Sequence, residues 1–501
     1  MKIPMKIRSI LLLSSLVIGS TGLALGQSTT FHDAFGNLIS PSETQNEHRA
    51  PDAGLDPVRR WDQIALIATG LDHTPVVPGE NRVFGEQIGP CRAARAMAIA
   101  HIAIYDAMDA IHGGYQSYLP QPPAPPGTSE RMAVAKAAHD ALAWLYPSQK
   151  VSFDGWLAED YFSVKNKTAR QQGIRLGKQV AAAIIADRTL DGAEIPEPLL
   201  GIGWFTSDLP GHWRQDPIAQ QAVALGAYWN KVKPFAMENA HQFVAAAPPA
   251  LSSPDYADAY NTVKPLGGDN VITPSTRTVD QTFMAIYWAY DGTPSLCAPP
   301  RLYNQIVVQI ANDRNMDAFT LSRLLATANV AMADAALGCW DSKYFWDSWR
   351  PVTGIRESDP GTGPTGLGDG NANTTGDLTY SPLGAPASNL TGVNFTPPFP
   401  SYPSGHATLG GSLFQVLRRF FGTDDVNFTF TSDEWDGVTK DNQGNVRPLL
   451  PETFTSFSEA EEDNGQSRIY LGIHFSFEKT NGIAMGNQIG DYVVDHFFLP
   501  N

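Results

Sequence analysis

The chain has 501 residues, of which 43% are hydrophobic and 10% aromatic, enough to bury a sizeable core. Its formal net charge of −16 argues against a nucleic-acid partner and against binding to an anionic membrane surface. Cys91, Cys297 and Cys339 are too few for a disulfide framework. We expect them to be buried small apolar residues, although one bridge plus a free thiol would also fit.

The first residues are typical of an export signal. Lys2, Lys6 and Arg8 precede an apolar run, and small residues at 24–26 resemble a cleavage site. An uncleaved anchor is the alternative, but the run is short for a membrane span and is interrupted by serines. The sequence therefore predicts a signal peptide over residues 1–26, a secreted or periplasmic protein, and no membrane insertion.

Helical patterns dominate the rest of the chain. Asp56 and Pro57 indicate a helix start, and Cys91–Ile111 is an alanine-rich segment with a stripe of larger apolar residues at helical spacing. Few segments alternate as strands do, so we predict an all-α fold of two packed helical bundles. The N-terminal helical half would span 27–290 and the C-terminal bundle 291–501. Further helices are predicted near Glu130–Tyr146, Ala169–Asp187, Val279–Tyr290, Arg301–Asn312 and Asp317–Trp346.

The first motif in the C-terminal half is Lys343-x6-Arg350-Pro351. Seven helical residues make nearly two turns, so both cations would share one face about 10 Å apart along the axis. Because proline disfavours a helical residue before it, we expect the helix to end at Arg350 and to present the guanidinium from its last turn. Two cations pointing the same way suit an oxyanion, whereas an isolated pair is more often a solvated surface.

A long segment, 357–392, follows and is rich in Gly, Asn, Thr, Asp and Pro. It predicts either a long ordered loop or a mobile flap between Arg350 and the second motif.

The second motif is Pro403-Ser404-Gly405-His406, directly before a helical pattern. Proline favours the first helical position, so Ser404 and Gly405 should lie in the first turn. That turn has unpaired N–H groups and the positive end of the helix dipole, which together suit an anion. His406 would stand at the edge of this site; alone it would be an ordinary helix-surface histidine.

The third motif is Ser467-Arg468-x5-His474. Six residues do not return to the same face of a straight helix, but Gly472 allows a break that could turn His474 toward Arg468. A further helix is predicted from Ser476 to Phe498. Combined, the motifs supply three cations, a helix N-terminus, a hydroxyl and two histidines, which can bind an oxyanion and provide a ligand, a nucleophile or an acid–base.

In these three motifs and their order the sequence resembles the superfamily of vanadium haloperoxidases and type 2 phosphatidic acid phosphatases. The resemblance covers the C-terminal third of the chain. It implies that vanadate or phosphate oxygens are bound by Lys343, Arg350, Ser404, Gly405 and Arg468. It further implies that His474 bonds the vanadium, or attacks phosphorus, and that His406 is the acid–base.

Residues outside the motifs favour the chloroperoxidase branch. Phe399 and Trp340 match an aromatic halide pocket in that branch, and Asp291 matches an aspartate that orients the metal-binding histidine. The resemblance therefore implies a vanadate-dependent haloperoxidase in which His406 handles protons and Lys343 polarises the peroxide oxygen. Hydrogen peroxide and halide would be its substrates; the organic acceptor is not indicated and homo-oligomerisation stays open. Two alternatives remain, a secreted acid phosphatase with His474 as nucleophile and a non-catalytic anion-binding protein.

Overall fold

The computed structural model describes residues 29–41 and 50–501, so the predicted signal peptide lies outside the described residues. Helices account for nearly all of the regular structure, and the two small sheets have two antiparallel strands each. The predicted all-α class is therefore confirmed. In chain order the elements are α1 Phe31–Phe35, β1 Ile39–Pro41, α2 Pro57–Asp72, α3 Gly89–His112, α4 Glu130–Leu145, α5 Lys150–Ser163, α6 Lys167–Arg188, α7 Pro254–Leu266, α8 Val279–Tyr287, α9 Pro299–Asp313, α10 Ala318–Trp346, α11 Pro351–Arg356, β2 Leu390–Gly392, α12 Gly405–Phe421, β3 Phe428–Phe430, β4 Glu452–Phe454, α13 Phe457–Tyr470 and α14 Ser476–His496.

Helices α2 to α6 pack on one another in the N-terminal half, and α12, α13 and α14 pack in the C-terminal half. The long helix α10 contacts both groups, packing on α3 and also on α12 and α14. Alanines occupy much of its buried surface, which lets neighbouring helices approach it on several sides. The division at residue 290 stays a prediction, since α10 joins the two halves in one core.

The predicted helix starts have clear local causes. Asp56 caps α2 by accepting hydrogen bonds from the N–H groups of Val58 and Arg59, with Pro57 at the first helical position. Asp317 caps α10 in the same way through Thr320 N–H. The structure adds α5, α7 and the short α1 and α11, which were not predicted.

Close packing of α12 on α14 brings the second and third motifs together. A Cβ added to Gly486 of α14 would lie 2.2 Å from the carbonyl oxygen of Thr408, and one added to Gly482 would lie 3.0 Å from that of Ser404. Side chains at these positions would push the helices apart. The glycines therefore hold the start of α14 against the start of α12.

The N-terminal segment is tied to a distant part of the chain. Ile39–Pro41 pairs with Leu390–Gly392, and Phe35 packs edge-on against Phe395 with ring centroids 5.5 Å apart. All three cysteines are free and buried, as expected. Within the described residues, none of the helices is both long and apolar enough to span a membrane.

Candidate active site: a buried oxyanion cradle

The first motif lies on two elements rather than one helix. α10 ends at Trp346, and Asp347 adopts a left-handed conformation with φ of 49°. Arg350 is extended and is the residue before α11, whose first position is Pro351. The prediction that the helix ends at Arg350 is therefore wrong: Pro351 begins a new helix, and Arg350 reaches the site from the connection.

Lys343 is buried behind the wall of the site. Its Nζ donates to the backbone carbonyls of Pro400, Ser401 and Pro403 at 3.0, 2.8 and 2.5 Å. Burial lowers the pKa of Lys343 to about 7. The three carbonyls favour the ammonium form because only NH3+ has three N–H donors.

Ser404 caps α12 rather than lying in its first turn. Its backbone is extended, and its side chain accepts from Ala407 N–H at 3.5 Å. Pro403 precedes the cap, so the prediction that Pro403 starts the helix is wrong by two residues. The helix begins at Gly405, whose first turn still leaves N–H groups without intrahelical partners. An added Cβ at Gly405 would lie 3.2 Å from the ring of Trp340, which leaves little room for a side chain.

The break predicted near Gly472 is confirmed. α13 ends at Tyr470, Gly472 has φ of +74°, and His474 lies in the turn before α14. Arg350 Nη1 donates to His474 Nε2 at 3.0 Å. The first and third motifs therefore meet at this histidine.

His474 is held as one tautomer. Its Nδ1 lies 2.5 Å from Glu478 Oε2 and 3.3 Å from Ser401 Oγ, while Nε2 faces an arginine that can only donate. Nδ1 therefore carries the proton and Nε2 offers a lone pair. Burial, followed by the charge of Arg350, holds the pKa of His474 well below its usual range. A neutral imidazole with its lone pair on Nε2 is what a metal ligand or a nucleophile requires, although here that lone pair accepts from Arg350 and would have to exchange this hydrogen bond for the ligand.

The prediction that Asp291 orients His474 is wrong. Asp291 Oδ1 accepts instead from Arg468 Nη2 at 2.6 Å, and Glu478 takes the orienting position. Burial raises the pKa of Glu478 to about 7, opposed by its hydrogen bond from Ser401. Sequence reasoning missed both Glu478 and Ser401; the signal for Glu478 was its position four residues after His474, at the start of a helix.

His406 also has a defined protonation pattern. Its Nε2 lies 2.6 Å from the carbonyl oxygen of Ala289, which can only accept, so Nε2 carries the proton and Nδ1 can receive one. Burial, with Arg468 nearby, holds the pKa of His406 well below its usual range. The arrangement suits a general base that becomes an acid once an anion offsets the surrounding positive charge.

These groups border one cavity that is partly open to solvent. Lys343, Arg350 and Ser404 lie behind its wall. The ring of Phe399 lies over Lys343 and Arg350. Its centroid is 5.2 Å from Lys343 Nζ and 5.0 Å from Arg350 Cζ. The other predicted site residues line the cavity: Asp291, Trp340, Phe399, Gly405, His406, Arg468 and His474.

A tetrahedral oxyanion fits the donors that the cradle leaves free. Arg468 is 1% exposed, yet its Nε and Nη1 have no hydrogen-bond partner among the described residues. Buried unpaired guanidinium donors beside a helix N-terminus and a histidine lone pair are expected to take an anion. Such a set can hold vanadate or phosphate, with His474 Nε2 as the ligand to the central atom.

Known proteins match this chain in sequence and fold. Residues 323–499 match the model of the VCPO second helical-bundle domain. A vanadium chloroperoxidase from Curvularia inaequalis is 28% identical over 498 residues, covering 83% of this chain and 78% of its own. A bacterial vanadium-dependent iodoperoxidase superposes with a TM-score of 0.68 at 24% identity, covering 88% of this chain and 97% of the other. A holo-type bacterial vanadium-dependent chloroperoxidase gives 0.62 at 15% identity, covering 84% and 94%.

The fold and the cradle define an oxyanion-binding helical-bundle protein with a neutral histidine placed to ligate the bound group. The sequence matches then narrow that class. The chain is similar to the vanadium haloperoxidases, over most of its length in one relative and over residues 323–499 in the family model.

Proposed function

We propose that this protein is a vanadate-dependent haloperoxidase that oxidises halide with hydrogen peroxide to hypohalous acid. The observation that carries the proposal is the lone pair of His474 Nε2 in a cavity where two donors of Arg468 have no partner within 29–41 and 50–501. Bound vanadate would supply a Lewis-acidic centre that activates peroxide without changing its own oxidation state.

Different side chains of the protein would bind the oxyanion, ligate its central atom and transfer protons. Arg468, Arg350 and the first turn of α12 would bind the oxyanion, and His474 would ligate it. His406 would take a proton from incoming peroxide at Nδ1 and return it to the departing oxygen. The buried Lys343 would add positive charge behind the 400–403 segment and so favour negative charge on the bound oxygens.

A halide-dependent peroxidase assay with and without added vanadate tests the proposal. Triiodide formation from iodide and peroxide should depend on vanadate. The vanadate-free protein should hydrolyse a phosphate monoester weakly, because the same donors would stabilise a phosphoryl-transfer transition state, and vanadate should suppress that activity. If vanadate inhibited hydrolysis but no halide were oxidised, the protein would instead be an acid phosphatase with His474 as nucleophile.

We further propose that bromide and iodide are oxidised, and chloride at mildly acidic pH. Support comes from Phe399 and Trp340, whose rings lie 4.8 Å apart and give the site an apolar, weakly hydrated wall. Chloride is the hardest of the three to oxidise and benefits most from desolvation. Phe399→His should therefore reduce chloride turnover more than bromide turnover in steady-state assays; oxidation of iodide alone by the wild type would remove the chloroperoxidase assignment.

Hydrogen peroxide and halide are the small-molecule substrates that we propose. We also propose that the protein is exported to the periplasm or the medium. The support is the charge and hydropathy pattern of residues 1–26. Fractionation of the source cells and N-terminal sequencing of the mature protein test it. A mature chain that retains Met1 would contradict cleavage.

A further inference from the structure

The turn that follows α8 contributes two acceptors to the cradle. The carbonyl oxygen of Ala289 accepts from His406 Nε2 at 2.6 Å. Asp291 Oδ1 accepts from Arg468 Nη2, also at 2.6 Å. Between the two acceptors lies Tyr290, which is fully buried and has φ of 42°. A tyrosine adopts a left-handed backbone only where neighbouring groups hold it there, so the conformation of this one residue sets the position of both acceptors.

The side chain of Tyr290 is held by a closed network of hydrogen bonds. Its phenol donates to Gln305 Oε1 at 3.1 Å and accepts from the backbone N–H of Asp433 at 2.7 Å. Gln305 Nε2 donates in turn to Asp433 Oδ2 at 3.0 Å, and an ion pair with Arg301 holds the same carboxylate. Each member of this Tyr290–Gln305–Asp433 network both donates and accepts, so removing one side chain opens the whole network.

Gln305 and Asp433 lie outside the cavity. Among the residues that the structure describes, the cavity lining includes Tyr290 but neither of these two. The Asp433 side chain is 27% exposed, so the network extends from the cavity lining to the protein surface. Gln305 lies on α9, whose Tyr303 donates to the backbone oxygen of His406 at 3.0 Å. Helix α9 therefore holds His406 at two points, its backbone directly and its imidazole by way of the network.

We propose that Gln305 and Asp433 are positioning residues of the active site, and that they fix the 289–291 turn through the network. The turn holds the proton of His406 on Nε2, because its carbonyl can only accept, and so keeps Nδ1 free to take a proton from a substrate. It also sets where Arg468 holds the two donors that have no partner among the described residues. The consequence for turnover rests on the proposed haloperoxidase function, whereas the location of the proton on His406 does not.

The location of that proton is measured by nitrogen NMR of isotope-labelled histidine in the full-length, vanadate-free protein. The two nitrogen signals of His406 are identified by their absence in His406→Gln. In the wild type we expect a protonated Nε2 and an unprotonated Nδ1, and hence two widely separated nitrogen shifts. Gln305→Met keeps the length of the side chain but removes both amide hydrogen bonds, so the turn loosens and the two shifts should move toward each other. A wild-type proton on Nδ1, or unchanged shifts in a folded Gln305→Met variant, would overturn the proposal.

Three further variants separate positioning from stability. Gln309→Met changes the same residue type one turn later in α9, where the amide lies at the surface, and should leave the shifts unchanged. Tyr287→Phe removes a buried phenol bond to a backbone carbonyl of β3 and should lower stability without moving the shifts. Tyr290→Phe should reproduce Gln305→Met, and the double variant should differ little from either single variant, because all of them open the same network. Equal changes of the shifts in Tyr287→Phe and Gln305→Met would assign the effect to general destabilisation and refute positioning.

Turnover of the vanadate-loaded enzyme gives the second measurement. The kcat for iodide oxidation should fall about tenfold in Gln305→Met, because proton transfer at His406 loses its alignment, and should stay within about twofold of the wild type in Gln309→Met. An unchanged kcat in Gln305→Met beside an active wild type would refute the positioning role. If neither the wild type nor any variant oxidised iodide while the nitrogen shifts moved as expected, the haloperoxidase function would fail and the positioning of His406 would stand.

Discussion

Lys343 and Arg468 are both buried cations of the cradle, but their hydrogen bonds differ. All three ammonium hydrogens of Lys343 have carbonyl acceptors in the 400–403 segment. Among the residues that the structure describes, Arg468 has only Asp291 as a side-chain partner and keeps two buried donors unpaired. One side of the cradle is therefore closed by internal bonds and the other is open to a ligand.

The two sides of the cradle contribute different properties: the Lys343 side fixes its geometry, and the Arg468 side supplies affinity for an anion. The closed side fixes the segment that leads into Ser404, so the helix N-terminus is in place before an anion arrives and no reorganisation is needed on binding. The open side carries unmet hydrogen-bonding capacity, which an anion would satisfy. Mutations on the two sides should therefore affect different measurements.

The largest effects are expected from the two histidines. His474→Ala should lower vanadate affinity by about a hundredfold or more, because it removes the proposed ligand to the central atom. His406→Ala should keep vanadate but reduce halide oxidation by about 10²- to 10⁴-fold, since proton transfer fails while the cradle survives. Elemental analysis after dialysis, paired with turnover assays, checks both; equal vanadium loss in the two variants would refute these roles.

A second pair of substitutions tests the two sides directly. Lys343→Met should destabilise the vanadate-free protein by about 2–4 kcal/mol, since it leaves buried carbonyls without donors. Arg468→Lys keeps the charge beside Asp291 but loses the planar fork, so stability should change by less than about 1 kcal/mol while vanadate affinity falls about tenfold or more.

Denaturant unfolding and vanadate titration of both variants provide the measurements. If Arg468→Lys lost more stability than Lys343→Met, the division into a closed and an open side would be wrong.

Glu478→Gln should weaken vanadate binding about 10- to 100-fold, less than loss of His474 itself. The amide can still accept from His474 Nδ1, but it would no longer offset the positive charge that the ring gains when Nε2 donates its lone pair to vanadium. Glu478→Asp, which keeps the charge on a shorter side chain, is the control and should bind more tightly than Glu478→Gln. The reverse order in vanadate titrations would mean that geometry rather than charge is what Glu478 contributes.

The smallest effect is a dependence of vanadate affinity on pH. Burial lowers the pKa of Lys343 to about 7, and a bound anion would raise it again. Binding is then strongest below pH 7 and weakens as pH rises above it, by at most about tenfold per pH unit. Titrations between pH 6 and 8.5 check this, with Lys343→Met reporting the contribution of vanadate's own protonation. If vanadate affinity depended on pH equally in Lys343→Met and in the wild type, Lys343 would be excluded as the source of that dependence.

The sequence predicted most of the longer helices, the class and the meeting of three motifs, because helical periodicity, capping residues and motif order are local properties. Sequence reasoning failed where the contact partner of a residue comes from a distant part of the chain. The dipeptide Arg350-Pro351 is compatible both with the end of one helix and with the start of another. Only the packing of α11 determines that a new helix begins there. The pairing of Asp291 with Arg468 depends on how the turn after α8 lies against α13, which no spacing specifies.

The pairing of β1 with β2 has a consequence for the order in which the protein assembles. The strand near the start of the chain is synthesised first, yet its partner follows only about 350 residues later. Closing so long a loop is entropically costly, so this contact should form after the local helix pairs. We expect Phe35, which lines the cavity and packs against Phe395, to be the last part of that lining to take its place. Until then a newly made chain would hold its oxyanion cradle beneath an opening wider than that of the finished protein.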